Sequence, residues 1–399
     1  MLKARSDIKN GPVSNEELVK QLITRDLFHL KWDLSQLGNN FIIKPPENYD
    51  KNVVRASMEL KRNEALDKNK DWIDANLHLL KANLADGRDV LESKIIPHIE
   101  VCENQKQHDL FRLCRYYWSS PYSDYVGRRI KLLIRDVGLP NNPIIGIAAL
   151  GSPIIHIPER DDFIGWDTKT RTDKLIYSMD AYVLGAMPPY NYLLGGKLVS
   201  YILASNEVRS LYKNKYKDVI THINKRTASD LVCIFTTSLY GRSSQYNRLK
   251  YNDNILYQAI GKTKGYGSLH LSDETFAAMQ KFLSEKKFIV TNKFGDGPIW
   301  RMRVIRSVCD MLKIDANILL NHSFKRNIYC VPLASNFKEF LLGQDLEPNY
   351  YDYPLNELVD FWKTRWFKKR QEHLEKNNDT RLRLFQASKF MINREFDSI

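Results

Sequence analysis

The residues best placed to do chemistry cluster in a few short stretches. In MPPYNYLLGGKLVSYILAS (residues 187–205), an apolar run, DAYVLGA, leads into Gly195, Gly196 and Lys197. Leu194, Leu198, Tyr201, Ile202 and Ser205 then share one helical face. Strand, glycine turn and helix start is the arrangement that leaves backbone N–H groups aimed at an anion. Glycines let backbone approach a ligand closely, and Lys197 adds a charge. The spacing predicts either a phosphate-binding turn at these three residues or a plain helix entry. It excludes a P-loop, because Leu198 stands where Ser or Thr is required, and it lacks GxGxxG.

HIPERDDFIGWD (residues 156–167) gathers His156, Glu159, Arg160, Asp161, Asp162 and Asp167 after an apolar run. Carboxylates this close suit a general base or a Mg²⁺ site. Asp161 and Asp162 would then serve a metal-dependent nuclease. The alternative is a solvated loop whose acids pair with Arg160 and nearby lysines. Residues 236–251 place Gly241, Ser243, Ser244, Tyr246, Asn247 and Arg248 after another apolar run. That pattern predicts a capped helix, with Tyr246 either a proton donor or a partly buried core residue. Gly261, Gly265 and Gly267 with Lys262 and Lys264 predict a basic turn or a strand connection. Near the C-terminus, Lys363, Arg365, Lys368, Lys369 and Arg370 stand beside Trp362, Trp366 and Phe367. Bases stack on aromatics while phosphates pair with Lys and Arg, so single-stranded nucleic acid is one partner class. The alternative is an amphipathic helix docked by Phe361, Trp362 and Trp366.

The elements that must position these residues fall into three stretches. Residues 1–110 read as helical, with Ser14 and Glu17 as a capping pair and apolar residues at three-four spacing from Trp72 to Leu91. Residues 111–299 read as an α/β domain, with strands expected at 144–150, 152–158, 180–186 and 231–239. The helical pattern between the last two predicts a parallel pair with a crossover. After Gly295-Asp296-Gly297, residues 300–399 read as basic and mainly helical. The fold class is thus α/β (α+β), a central mixed sheet between helical flanks.

The 399 residues suffice for more than one domain, and 43% are hydrophobic, as in ordinary globular proteins. A formal net charge of +13 favours polyanions, so DNA or RNA is the expected partner. The five cysteines form no CxxC pair, which argues against a zinc cage or a disulfide framework. No metal site is assigned. No apolar run is long enough for a bilayer and the N-terminus lacks an apolar leader core, so no membrane contact and a cytoplasmic location are expected.

Read together, LCRYYWSSPYSDYVGRRIKLLIRD, IIGIAALGSPIIHIPERDDFIGW, GAMPPYNYLLGGKLVSYILASNEVRSLYKNKY, TTSLYGRSSQYNRLKY and GKTKGYGSLHLS resemble the Druantia anti-phage defence system protein A family. The resemblance covers residues 111–275. It implies a bacterial antiviral defence protein that acts with other subunits of its system, including a very large helicase-like protein. The expected role is a nucleic-acid-binding or adaptor subunit. A second resemblance, of fold order, is to GCN5-related acyltransferases. It implies that Gly195, Gly196 and Lys197 hold the pyrophosphate of a coenzyme A thioester. It further implies that Tyr246 protonates the departing thiolate, with Glu159 or Asp162 as base. The run Asn191-Tyr192-Leu193-Leu194-Gly195-Gly196-Lys197 departs from that family's turn, Q/R-x-x-G-x-G/A.

Overall fold

The computed structural model describes residues 13–37, 40–47, 49–118, 127–220, 227–239, 241–291 and 298–392. Gly295, Asp296 and Gly297 and residues 119–126 of the family word lie outside them. The chain forms two compact units. One draws on the residues up to Glu64 and on Lys264–Phe324; the other draws on Ala65–Thr263 and on the residues from Lys325 onward.

The second unit holds a seven-stranded sheet. Its strands are β1 (Pro97–Val101), β2 (Arg129–Asp136), β3 (Ile144–Gly151), β4 (Ser178–Ala186), β5 (Cys233–Thr237), β6 (Gln258–Lys262) and β7 (Asn327–Pro332). In space they run β1-β2-β3-β4-β5-β7-β6. Every neighbouring pair is antiparallel except β4 and β5. That single parallel pair is the one the crossover pattern predicts. The sheet reaches past residues 111–299 at both ends, since β1 precedes Phe111 and β7 follows Ile299. The connection from β6 to β7 is the segment that contributes Lys264–Phe324 to the other unit.

All eight residues of β3 are buried, as expected for a strand covered on both faces. The alternation of the pleat sorts side chains into two layers. Leu132, Ile134, Ala148 and Leu150 join Leu198, Val199, Tyr201 and Ile202 on one face. Leu133, Ile147, Ala149 and Val183 join Leu77, Leu80, Leu110, Phe111 and Cys114 on the other. The covering helices are therefore α1 (Lys70–Ala82) and α2 (Gln105–Tyr117) on one side and the helix after β4 on the other. Each fully buried Leu or Ile contributes roughly 1.5–3 kcal/mol.

The run SPIIHIP, expected as a strand, is irregular up to Pro158, where α3 (Pro158–Ile164) begins. Side chains take its backbone groups in place of a ladder. Asp180 Oδ2 accepts from Ile154 N at 3.0 Å, while Arg160 donates to Ile154 O at 2.6 Å and to Ile155 O at 3.1 Å. The helix expected after Ser243-Ser244 is likewise a series of turns, with Arg248 at φ 63°. After β4 come α4 (Gly195–Leu203), then α5 (Leu355–Trp362) and α6 (Lys368–Lys376) near the C-terminus.

In the first unit, Ser14 Oγ accepts from Glu17 N at 3.2 Å and caps the helix Asn15–His29. Helices Asp273–Glu285 and Pro298–Leu312 and a hairpin of Asp33–Leu37 with Asn40–Lys44 belong to the same unit. Asp26 secures the first of these by accepting from Ser272 N at 2.7 Å and from Thr275 Oγ1 at 2.6 Å.

Candidate functional site

The glycine turn sits at the end of β4, under neighbouring side chains. Leu194 adopts the left-handed conformation, φ 60°, and reverses the chain into α4. Gly195 is required by space, because a Cβ there would lie 2.6 Å from Tyr190 O. A Cβ on Gly196 would lie 3.1 Å from Gln245 Oε1. Lys197 is buried. Its Nζ donates to Ser244 O at 2.5 Å, with Gln245 O and Asn247 O at 3.3 Å, and sits 4.3 Å from the centre of the Trp366 ring. Burial first, then Arg248 and Arg365, lower its pKa to about 8. The carbonyls that Lys197 collects are those a helix after Ser244 would have needed, which explains the turns found there.

β4 outruns β5. Pairing covers Ser178, Met179 and Asp180 of β4, and the strand continues to Ala186. The open edge is satisfied by side chains. Thr236 Oγ1 donates to Ala181 O at 2.8 Å, and Gln245 Nε2 donates to Leu184 O at 3.2 Å and approaches Ser200 Oγ at 3.0 Å. Tyr246 is stacked on Tyr257 at 5.1 Å and packed edge-on to Tyr329 at 5.1 Å. Burial pushes its phenol up to about 12, so the group keeps its proton at neutral pH.

The acidic cluster lies beside the other end of β4, where Asp180 meets Phe235. Six residues of strand, about 20 Å, separate Asp180 from Ala186 at the glycine turn. Asp161 is buried, receives Arg160 Nη2 at 2.7 Å and Arg171 Nη1 at 3.0 Å, and lies 2.9 Å from His156 Nδ1. Arg160, fully buried, also faces the Trp166 and Phe235 rings. Glu159 packs its stem where a Cβ on Gly261 would lie, and Asp162 is exposed. Among the described residues, no three His, Cys, Asp or Glu side chains form a set that could hold a metal ion. Asp180, absent from the sequence-based candidates, is buried with Oδ1 unpartnered. Burial raises its carboxyl to about 6. An acid inside an otherwise apolar run was the signal for it.

The C-terminal stretch divides into a docked face and an exposed one. Trp362 is fully buried and donates to Leu194 O at 3.3 Å; Trp366 donates to Tyr201 Oη at 3.2 Å. Arg370 donates to Tyr192 O at 2.9 Å, and Lys363 pairs with Asp360 at 3.8 Å. Between α5 and α6 the chain winds as one wider turn, Lys363–Phe367, which keeps both tryptophans inward. Arg365, Lys368 and Lys369 point to solvent. Gly265 answers to backbone, since a Cβ would lie 2.6 Å from Phe324 N, while Lys262 and Lys264 are exposed. Among the described residues no helix is long and apolar enough to cross a membrane, and all five cysteines are buried and unpaired.

The site thus joins Gly195, Gly196, Lys197, Gln245, Trp362 and Trp366, with Tyr246 behind them, and leaves Glu159, Asp161 and Asp162 at the far end of β4. Fold and site define a mixed α/β protein whose crossover turn is closed by its own side chains and backed by a basic C-terminal helix. The sequence model of the family described as Druantia protein DruA matches residues 48–343. A Druantia protein DruA from Escherichia coli (strain UMEA 4076-1) is 36% identical over 338 residues, covering 84% of this chain and 82% of that protein. The chain belongs to the Druantia protein DruA family and is a component of a Druantia anti-phage defence system. No solved structure matches it, so the likeness to acyltransferases has no structural neighbour behind it.

Proposed function

We propose that this chain is the nucleic-acid-contacting or adaptor subunit of its Druantia system and performs no chemistry of its own. The observation that supports this most is the division of the C-terminal helix. Trp362 and Trp366 hold it to α4, and Arg365, Lys368 and Lys369 are left facing solvent. Lysines and arginines fixed on a rigid helix with a net charge of +13 behind them suit a phosphate backbone. The other subunits, including a helicase-like one, would then act on the strand this chain holds, in the cytoplasm. Retardation of labelled DNA or RNA by the full chain in a gel tests the reading. A retarded band that weakens when all three exposed cations become alanine supports nucleic-acid contact; no retardation at micromolar protein rules that contact out and leaves the adaptor role.

A second reading, acyl transfer from coenzyme A, is favoured by one feature: a single parallel strand pair joined through a glycine turn and a helix. Against it, Gln245 and Tyr246 fill the gap beyond β5, and Lys197 is held by three carbonyls. A thioester would enter only after residues 241–248 withdraw. Calorimetry with acetyl-coenzyme A on the wild type and on Gly196→Asp decides it. Heat that vanishes in the variant would support acyl transfer, and no heat from the wild type would end it.

A further inference from the structure

The first unit carries an open groove of about 310 Å³ between residues 288–291 and the helix Pro298–Leu312. Phe288, Ile289, Thr291, Arg303, Arg306 and Ser307 line it. The helix buries Val304, Ile305, Val308, Cys309 and Leu312, and its three arginines behave differently. Arg301 is structural: it pairs with Asp273 at 2.8 Å, donates to Leu271 O and Ser272 O, and lies 4.5 Å from the Phe276 ring centre. Arg303 and Arg306 are exposed and three residues apart, hence neighbours on one face.

Each of these two makes a hydrogen bond to a neutral acceptor. Arg303 Nη2 donates to Thr291 O at 2.9 Å, and Arg306 Nη2 donates to Tyr266 Oη at 2.8 Å. Among the described residues neither pairs with a carboxylate, so two full positive charges with unused donors face one groove. The wall opposite is fixed by Trp300 Nε1 donating to Val290 O at 3.3 Å and by Phe288 N donating to Leu283 O at 2.9 Å. Phe288 and Tyr266 remain 46% and 45% exposed beside the guanidinium groups. Two cations without counter-charges next to solvent-facing rings provide for a phosphate and for an unstacked base.

We infer that this groove binds a single-stranded nucleic acid, with a backbone phosphate between Arg303 and Arg306 and a base on Phe288 or Tyr266. The inference rests on the reading of the chain as a nucleic-acid-binding subunit and names a second contact surface for it, and a strand class. A strand with splayed bases can reach the rings, whereas a duplex keeps its bases paired and stacked.

Fluorescence anisotropy of the full chain with a labelled oligothymidylate and with a matched duplex, over a range of salt, tests it. Arg303→Ala/Arg306→Ala should weaken single-strand binding roughly tenfold and make the salt slope shallower by about 1.4. Arg303→Lys/Arg306→Lys should keep most of that slope. Phe288→Ala should weaken binding roughly fivefold or more with the slope unchanged. Thermal melts of the exposed-site variants should match the wild type. If groove variants bind as the wild type does while Lys368→Ala/Lys369→Ala weakens binding, the groove is not a site but the nucleic-acid reading stands. If the wild type binds no nucleic acid, both fall. An equal loss on the duplex overturns the single-strand assignment. Competition by an acidic peptide as strong as by the oligonucleotide overturns it in favour of a peptide site.

Discussion

Lys197 Nζ lies 4.3 Å from the centre of the Trp366 ring, inside a ring of three backbone carbonyls. A lysine that reads as an anion ligand in the sequence thereby fastens residues 244–247 and the C-terminal helix to α4. Lys197→Met leaves those carbonyls without their donor and should cost about 2 kcal/mol. Paired with Trp366→Leu in a double-mutant cycle, it should show a coupling of roughly 1 kcal/mol. Denaturant unfolding of the four proteins measures both; a coupling of zero would mean that the ring and the amine do not act together.

The two glycines of the turn should respond unequally. An alanine Cβ at Gly195 meets a backbone oxygen, Tyr190 O, at 2.6 Å, whereas at Gly196 it meets the flexible end of Gln245 at 3.1 Å. Gly195→Ala should cost about 2 kcal/mol or more, Gly196→Ala less than about 1 kcal/mol, in thermal melts. Equal effects would argue against the packing described for this turn.

Asp180 sets a pH dependence. Its carboxyl is raised from 3.8 to about 6 by burial, so the folded state holds the proton more tightly than the unfolded state. Between those two values the folded protein binds more protons, and this group's contribution to stability falls as pH rises. The sum of that change is of order 3 kcal/mol. Asp180→Asn removes it. Stability of the variant relative to the wild type should climb from pH 4 to pH 6 and level off above about pH 7, whatever its absolute value. A difference independent of pH would show that the carboxyl titrates normally.

Adjacent carboxylates in ERDD should differ sharply. Asp161 neutralises buried Arg160 and also binds Arg171, so Asp161→Ala strands a buried cation and should cost about 3–5 kcal/mol. Asp162 is exposed, and Asp162→Ala should stay within about 0.5 kcal/mol. Melting curves separate the two. A loss of defence in Asp161→Ala at wild-type stability would point to chemistry at this carboxylate in place of packing.

β3, β4 and α4 are legible in the sequence because long apolar runs and three-four spacing report burial directly. The family words carried the relationship that the comparisons established. What stayed hidden depended on side chains that take backbone groups from outside the local pattern. SPIIHIP has strand composition, yet Asp180 and Arg160 take the backbone groups a ladder would use. Ser244 to Asn247 have helix-opening composition, yet Lys197 takes their carbonyls. β1 and β7 fall in stretches whose charge and turn residues conceal their pairing. The basic tail divides in the structure: its tryptophans dock it, and Arg365, Lys368 and Lys369 stay exposed.

The decisive measurement is the salt dependence of binding to a single-stranded oligonucleotide. Wild-type affinity should fall steeply with salt, and Arg365→Ala/Lys368→Ala/Lys369→Ala should give a slope shallower by about 2 at unchanged melting temperature. A wild-type response that is flat near zero binding, or identical slopes for the two proteins, would show that these cations hold no nucleic acid.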